Sequence, residues 1–273
     1  VENIGHYIID AGGKRLRPVV GLLSALANGY QGVDHLKMAA VIEFIHTATL
    51  LHDDVVDVAS LRRGRQTANA QWGNAPSVLV GDFLYSRAFQ MLVEIEHMPI
   101  MSVMANATNV ISEGEVQQMA NAGNPDISEE IYRQVIYRKT AKLFEAAAQV
   151  GACLAGKNQD AMIAYGKHLG LAFQIADDVL DYQGDIEVTG KNIGSDLAEG
   201  KMTLPLIFAR DNAGSEHADL IRKAIAGKTA DDFGTILQVV NTSGGLSYSR
   251  QQAAEEVELA KHALVGMPDG EYK

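Results

Sequence analysis

Two aspartate clusters constrain this chain most strongly, because each lies inside a strongly apolar stretch. The first spans residues 53–57 (DDVVD) and follows Leu50-Leu51-His52; the second spans residues 177–181 (DDVLD) and follows Phe173-Gln174-Ile175-Ala176. In a helix, the first and last aspartates of each cluster lie about 40° apart on one face. Three carboxylates this close repel one another and are costly to remove from water. A positive partner is therefore expected near each cluster.

The repeated spacing favours a binding site over an accident of charge placement. A solvated acidic face or a helix end would explain one aspartate pair, but explains two copies in apolar helices poorly. Oxygen ligands without an accompanying His or Cys cluster predict a hard cation. Mg²⁺ is usually bound by one or two carboxylates together with oxygens of a substrate phosphate. A diphosphate held through Mg²⁺ is therefore predicted at the six carboxylates, which are Asp53, Asp54, Asp57, Asp177, Asp178 and Asp181.

Basic residues that could bind the same diphosphate occur near both clusters. Residues 12–18 (GGKRLRP) place three cations in a loop that opens with glycine, and residues 61–64 (LRRG) follow the first cluster. Arginine offers a planar fork that suits phosphate oxygens. A surface loop and a charged helix C-terminus are the ordinary alternatives for these segments. Further candidates are Lys139, Thr140, Gln174, Lys191 and Lys201.

Helical periodicity recurs through almost the whole chain. It predicts helices over residues 18–30, 35–58, 77–95, 100–121, 129–154, 159–183, 204–211, 216–226, 230–242 and 247–265. Hydrophobic residues make up 47% of the chain but aromatic residues only 6%, a composition typical of packed helices. A sheet is not expected, because no alternating β-branched runs occur. No linker or change in composition divides the chain, so one all-α domain is predicted over residues 1–273.

Charge and cysteine content exclude several classes of protein. The net charge of -11 argues against nucleic acid as the main partner. The single cysteine, Cys153, cannot form an internal disulfide and is typical of a reducing compartment, so a cytoplasmic protein is expected. No apolar stretch reaches the roughly 20 residues of a membrane span, and no signal peptide is recognised.

Seven motifs, in order along nearly the whole chain, resemble the trans-isoprenyl diphosphate synthases, most closely the long-chain octaprenyl-type branch. They are GGKRLRP at 12–18, LLHDDVVD at 50–57, RRG at 62–64, GDFLYSRAF at 81–89, EGEVQQM at 113–119, YRKTAKLFEAA at 137–147 and FQIADDVLDYQGD at 173–185. The resemblance implies a helical bundle with a deep central cavity, both aspartate clusters at its mouth, and a homodimer. It also implies that the family's terminal helix and basic tail are missing after residue 273.

The resemblance assigns roles to individual residues. The six aspartates are implied to bind Mg²⁺ and the allylic diphosphate, with Lys139 and Lys191 acting in catalysis. Contacts to the allylic substrate are implied for Arg62, Lys139, Thr140, Gln174, Lys191 and Lys201. The isopentenyl diphosphate site is implied to consist of Lys14, Arg17, His46 and Arg63. Lys201 fits this assignment less closely, because the stretch after Lys191 varies in length in the family.

The implied reaction ionises an allylic diphosphate, such as farnesyl diphosphate, and joins the resulting carbocation to isopentenyl diphosphate. Proton loss then leaves a trans double bond. In this family, bulky aromatics four or five residues before the first cluster give short products, whereas this chain has the small Ala48 and Thr49 there. The resemblance thus favours a long, octaprenyl-type product for a quinone side chain. A cavity floor formed by residues such as Met119 or Phe89 is expected.

Four alternatives remain open on the sequence alone. A shorter-chain farnesyl or geranylgeranyl synthase would share the motifs. A class I terpene cyclase would not need an isopentenyl diphosphate site, so the GGKRLRP and RRG motifs argue against it. A non-catalytic subunit of a heteromeric synthase would typically have lost the aspartates. A helical scaffold with acidic patches would not explain the paired clusters.

Overall fold

The structure, a computed structural model, describes residues 2–183 and 194–273. The first part contains helices α1 (Glu2–Asp10), α2 (Leu16–Ala27), α3 (Asp34–Val56), α4 (Ala68–Trp72), α5 (Asn74–Val93), α6 (Met98–Asn121), α7 (Glu129–Ile136), α8 (Lys142–Ala155) and α9 (Gln159–Leu180). The second part contains α10 (Ser195–Ala198), α11 (Leu204–Asn212), α12 (Ser215–Gly227), α13 (Phe233–Thr242) and α14 (Gly245–Ala263). The predicted all-α fold class is confirmed.

Three local features differ from the sequence prediction. A short antiparallel hairpin pairs β1 (Leu61–Arg62) with β2 (Arg65–Gln66). It forms because Arg63 and Gly64 both adopt positive φ, the conformation that a tight hairpin turn requires. The helix predicted over residues 129–154 is interrupted by a π-helical turn over Tyr137–Ala141, between α7 and α8. The predicted helices over 35–58 and 159–183 end earlier, at Val56 and Leu180.

Contacts between residues group the described chain into two compact units, which comprise residues 2–108, 143–166 and 263–273, and residues 109–142, 167–183 and 194–262. The prediction of a single domain remains a prediction. In the first unit, α3 packs against α2 and α5. Gly151 of α8 lies directly on α2, since a Cβ there would be 2.6 Å from the carbonyl oxygen of Gly21. This close approach fixes α8 next to the helix that carries Arg17.

The second unit has an apolar core that surrounds the end of α9. Ile175, Val179 and Tyr182 lie in it together with Leu204 and Ile221. The carboxylates of the second aspartate cluster therefore project from a helix whose other side is fixed by buried contacts. Among the residues that the structure describes, no helix is both long and apolar enough to cross a membrane.

Candidate active site

The first aspartate cluster lies at the C-terminal end of α3. Asp54 is buried, with 2% of its surface exposed, whereas Asp53 and Asp57 are half-buried. The guanidinium of Arg62 donates from both Nε and Nη2 to Oδ1 of Asp54, each over 2.7 Å. The hairpin thus places the guanidinium of Arg62 against Asp54, the central aspartate of the first cluster. This contact agrees with the expectation that a positive partner lies near the cluster.

Two polar side chains hold the end of this helix in place. Asn69 donates from Nδ2 to the carbonyl oxygens of Asp54 and Ala59, both over 3.1 Å. Thr67 donates from Oγ1 to the same Ala59 oxygen over 2.6 Å. Carbonyl groups in the last turn of a helix lack partners within the helix, so these bonds stabilise the turn that presents Asp57. Asn69, which follows the RRG motif in RRGRQTAN, is not among the residues predicted from the sequence.

The carboxyl of Asp54 is electrostatically unfavourable in its present surroundings. Burial raises its pKa above the usual value, and the neighbouring Asp53 and Asp57 raise it further. The hydrogen bond and charge of Arg62 act in the opposite direction without fully offsetting the burial. A further positive charge at this cluster would therefore be stabilising.

Arginine side chains surround His46, eight residues before Asp54. Arg17 donates from Nη1 to Nε2 of His46 over 3.2 Å, and its guanidinium carbon lies 4.4 Å from the centre of the Phe144 ring. The pKa of His46 is lowered well below 6.5, first by burial and then by the charges of Arg17, Arg63, Arg62 and Arg15. His46 is therefore neutral at physiological pH, and its Nε2 accepts the bond from Arg17.

The guanidinium of Arg63 lies close to the glycine loop. Its Nη1 donates to the carbonyl oxygen of Gly12. A Cβ on Gly13 would lie 2.7 Å from the guanidinium nitrogens, and Gly13 has a φ of +133°. Three of the four residues implied for isopentenyl diphosphate, Arg17, His46 and Arg63, thus lie in one electropositive group, and the exposed Lys14 belongs to the same loop.

Arg15, the second cation of the GGKRLRP segment, contacts the chain's own polar groups on two helices. It forms an ion pair with Glu43 of α3 and donates from Nη2 to the carbonyl oxygen of Ile9 over 2.9 Å. Its backbone is left-handed, with a φ of 51°. One of the three cations in GGKRLRP therefore fastens the loop to α1 and α3.

The second aspartate cluster has the same burial pattern as the first. Asp178 is buried, with 4% of its surface exposed, and Asp177 and Asp181 are half-buried. Tyr132 donates its hydroxyl to Oδ2 of Asp178 over 2.6 Å, and Gln174 donates from Nε2 to Oδ1 over 2.7 Å. Burial raises the pKa of Asp178 well above its usual value, and the charge of Asp196 raises it further, although both hydrogen bonds act to lower it.

The π-helical turn brings Thr140 to this cluster. Thr140 donates from Oγ1 to Oε1 of Gln174 over 2.8 Å, so Thr140, Gln174 and Asp178 form one hydrogen-bonded chain. In the same turn, Lys139 lies 2.7 Å from Oε2 of Glu115. Gly114 of α6 makes room for the turn, since a Cβ there would lie 2.8 Å from the backbone nitrogen of Lys139. π-Helical turns are common at functional sites.

Three further residues, Asp181, Lys191 and Lys201, were predicted to belong to the second half of the site. Asp181 accepts hydrogen bonds at Oδ1 from the Ser195 hydroxyl over 2.9 Å and at Oδ2 from the backbone nitrogen of Asp196 over 3.2 Å. Lys201 forms an ion pair with Glu199. Lys191 lies outside the described residues, so its predicted role remains a prediction.

The positions predicted to set product length differ from each other in burial. Ala48 is fully buried in an apolar cluster with Ile4, Leu51 and Val80, whereas Thr49 is half-buried and donates from Oγ1 to the carbonyl oxygen of His46 over 2.8 Å. Of the two residues proposed for a cavity floor, Phe89 is half-buried beside Tyr85 and Met119 is exposed.

The chemistry of both clusters fits Mg²⁺. Among residues 2–183 and 194–273, no group of three or more His, Cys, Asp or Glu side chains converges on one point. A magnesium ion that takes one or two carboxylates and completes its coordination with water and phosphate oxygens does not require such convergence. The half-buried Asp53, Asp57 and Asp177 offer oxygens of the required kind.

Comparisons with known proteins show the family of this chain. The chain matches the Polyprenyl synthetase family over residues 1–242. It is 50% identical to the octaprenyl diphosphate synthase of Escherichia coli (strain K12), over 100% of this chain and 86% of that protein. It is 47% identical to an all-trans-nonaprenyl-diphosphate synthase (geranyl-diphosphate specific) of Rhodobacter capsulatus, over 100% of this chain and 85% of that protein.

A solved structure gives the same result. The polyprenyl synthase from Caulobacter crescentus CB15, complexed with calcium and isoprenyl diphosphate, superimposes with a TM-score of 0.96 at 44% sequence identity. The match covers 99% of this chain and 84% of that one. The chain therefore belongs to the polyprenyl synthetase family, and it is a prenyltransferase.

Proposed function

We propose that this prenyltransferase uses Mg²⁺ to condense isopentenyl diphosphate with an allylic diphosphate and forms a long-chain all-trans polyprenyl diphosphate. The observation that carries the proposal is the paired design of the aspartate clusters. Each has a central carboxylate that is buried and bonded by the chain's own donors, and outer carboxylates that are partly exposed. The octaprenyl and nonaprenyl synthases at 47–50% identity support the long product.

The six aspartates divide into two roles in this proposal. Asp53, Asp57 and Asp177 bind the metal ions. Asp54 fixes the geometry of the first cluster through its bond with Arg62. Asp178 fixes the geometry of the second cluster through its bonds with Gln174 and Tyr132. Asp181 contributes to both roles. Bound Mg²⁺ would neutralise the negative charge that builds on the departing diphosphate.

The arginine group on the first unit is proposed to hold isopentenyl diphosphate. Arg17 and Arg63 present guanidinium groups that suit phosphate oxygens. Neutral His46 accepts a hydrogen bond from Arg17 without adding charge, and the Phe144 ring supports the same guanidinium. The orientation of Arg17 is thus fixed before substrate binds, which lowers the entropic cost of binding. Lys139, Thr140, Gln174, Lys191 and Lys201 are proposed to contact the allylic substrate.

The product and primer are tested by incubating the protein with Mg²⁺, labelled isopentenyl diphosphate and either farnesyl or geranyl diphosphate. Chromatography is expected to show an octaprenyl-length product, suited to a quinone side chain, with farnesyl diphosphate as the preferred primer. Asp177→Asn should abolish elongation, whereas Asp160→Asn, the same change at an exposed position of α9, should not. No elongation by the unmodified protein would refute the proposal, and a cyclised hydrocarbon would favour a terpene cyclase.

A homodimer is proposed on the surface of α5. Leu79, Phe83 and Val93 lie within about 80° of one another on this helix and are 66%, 47% and 63% exposed. Burial of such an apolar face against a second copy would be stabilising. Light scattering should give the mass of a dimer for the unmodified protein and that of a monomer for Phe83→Glu.

The reducing cytoplasm is proposed as the compartment of this protein, in keeping with the single free Cys153.

A further inference from the structure

Tyr132, a residue outside the predicted site, makes a short contact with the second aspartate cluster. It lies in the first turn of α7, where the Ser128 side chain caps the helix by accepting from the backbone nitrogen of Ile131 over 3.3 Å. Its ring is buried in the apolar core of the second unit, with 4% of its surface exposed. Its hydroxyl reaches Oδ2 of Asp178, 46 residues later, over 2.6 Å.

The position of Tyr132 is itself fixed by its neighbours. Arg133, the next residue, donates from Nε to Glu129 over 2.8 Å and from Nη1 to the buried Glu256 over 3.0 Å. Glu256 also lies 2.6 Å from Nδ1 of His168. This polar network joins α7 to α9 and α14. The hydroxyl of Tyr132 is consequently presented to Asp178 by a helix that has little freedom to move.

The hydrogen bond from Tyr132 to Asp178 differs from that of an ordinary buried tyrosine. The hydroxyl of a buried tyrosine usually has some hydrogen-bond partner, whatever its chemical type. Tyr182 provides the comparison, because it is equally buried in the same core and its hydroxyl lies 3.3 Å from the neutral hydroxyl of Thr203. The bond from Tyr132 is shorter, and it ends on the central aspartate of the second cluster. Among the described residues, Tyr132 donates to one oxygen of Asp178 and Gln174 to the other, so losing either donor removes a bond from a buried oxygen.

We propose that Tyr132 is a positioning residue for the second metal–diphosphate site, acting through Asp178. The hydrogen bonds from Tyr132 and Gln174 fix both oxygens of Asp178, and thereby the turn of α9 that presents Asp177. This inference rests on the proposed function, because it requires that the second cluster bind metal and diphosphate. It assigns Tyr132, seven residues before Lys139, a role in the site that none of the seven motifs indicates.

The test compares Tyr132→Phe with Tyr182→Phe, because each variant removes one buried hydroxyl from the same core. Mn²⁺ replaces Mg²⁺ as a paramagnetic probe, and its affinity is measured by electron paramagnetic resonance in the presence of inorganic pyrophosphate. Tyr132→Phe should weaken Mn²⁺ binding by about tenfold or more, and Tyr182→Phe should leave it unchanged. Equal affinities for the two variants, with both folded by circular dichroism, would overturn the proposal.

Kinetics and a double mutant provide a second readout. Tyr132→Phe should raise the Mg²⁺ concentration needed for half-maximal rate and the KM for the allylic substrate more than the KM for isopentenyl diphosphate. Because Tyr132 acts through Asp178, adding Tyr132→Phe to Asp178→Asn should cause little further loss of Mn²⁺ affinity. A uniform loss of kcat in proportion to lost folded protein, or fully additive losses in the double mutant, would indicate a purely structural tyrosine and refute the idea.

A measurement without a destabilising substitution covers the case in which Tyr132→Phe does not fold. 3-Fluorotyrosine is introduced separately at position 132 and at position 182, and the ¹⁹F resonance is followed as Mg²⁺ and pyrophosphate are added. The resonance at 132 should shift and that at 182 should not; no shift at 132 would contradict the proposal. In parallel, Asp177→Asn must lose Mn²⁺ binding, and if it does not, the proposed metal site itself is wrong.

Discussion

Replacement of Gly114 by alanine would test how the π-helical turn positions Lys139 and Thr140. A Cβ at this position would lie 2.7 Å from Cβ of Arg138 and 2.8 Å from the backbone nitrogen of Lys139. Non-bonded carbon atoms prefer about 3.5–4.0 Å, so the turn must shift by about 0.8 Å or more. Because the obstructing atoms include backbone, the strain cannot be relieved by rotating a side chain alone.

The expected effect on stability is smaller than the effect on activity. Overpacking costs about 1–3 kcal/mol, and the better helix propensity of alanine offsets about 1 kcal/mol of this cost. A displacement near 1 Å in a substrate-positioning group can reduce the rate by about a hundredfold. Gly114→Ala should therefore lower kcat/KM for the allylic substrate by about that factor while the protein remains folded.

Gly234→Ala is the matched control. Gly234 lies in α13 of the same unit, and nothing is within 4 Å of the position where its Cβ would be. This variant should keep full activity and become slightly more stable. The assay measures elongation of farnesyl diphosphate with labelled isopentenyl diphosphate, alongside thermal unfolding by circular dichroism. Wild-type kcat/KM in folded Gly114→Ala would refute the argument that the close approach positions Lys139 and Thr140.

Three further changes test other parts of the site. Gly13→Ala should displace Arg63 and raise the KM for isopentenyl diphosphate about tenfold, and an unchanged KM would contradict the role given to this contact. Since the pKa of His46 lies well below 6.5, the unfolded chain binds a proton that the folded metal-free protein does not; below about pH 6.5 the free energy of unfolding should fall by up to about 1.4 kcal/mol per pH unit. Urea titrations of His46→Gln should lack this contribution, and identical pH profiles would disprove it. Ala48→Phe should shorten the product and, because Ala48 is buried, cost about 1–3 kcal/mol of stability; unchanged product length on chromatography would reject the role of Ala48.

The sequence predicted the long helices and the aspartate clusters because both depend on local spacing. Apolar residues at helical intervals predict α3 and α9 whatever packs against them. The identical spacing of the aspartates in the two clusters can likewise be recognised without knowledge of the fold. Short elements such as α1 and α4 were missed, since five to nine residues carry too little periodicity to stand out. The hairpin was missed because it depends on the backbone conformation of Arg63 and Gly64 alone.

The difference in burial between the central and outer aspartates of each cluster could not be predicted from spacing. On a helical wheel the central aspartate differs from the outer two only in angle, whereas its burial depends on what packs over it. Arg62 reaches Asp54 through the hairpin, and Tyr132 reaches Asp178 from a helix 46 residues away. The π-helical turn leaves no pattern in the sequence either, although the small size of Gly114 makes room for it.

Two of the interactions of Asp181 bear on how aspartate substitutions in this protein are interpreted. The carboxylate accepts from Ser195 and from the backbone nitrogen of Asp196, at the start of α10. A change from Asp181 to Ala would remove an oxygen donor and also release the beginning of that helix, so a loss of activity would have two causes. Ser195→Ala removes only one of these bonds and keeps the carboxylate. Comparing the two variants would separate the anchoring of α10 by Asp181 from any role of its oxygens in chemistry.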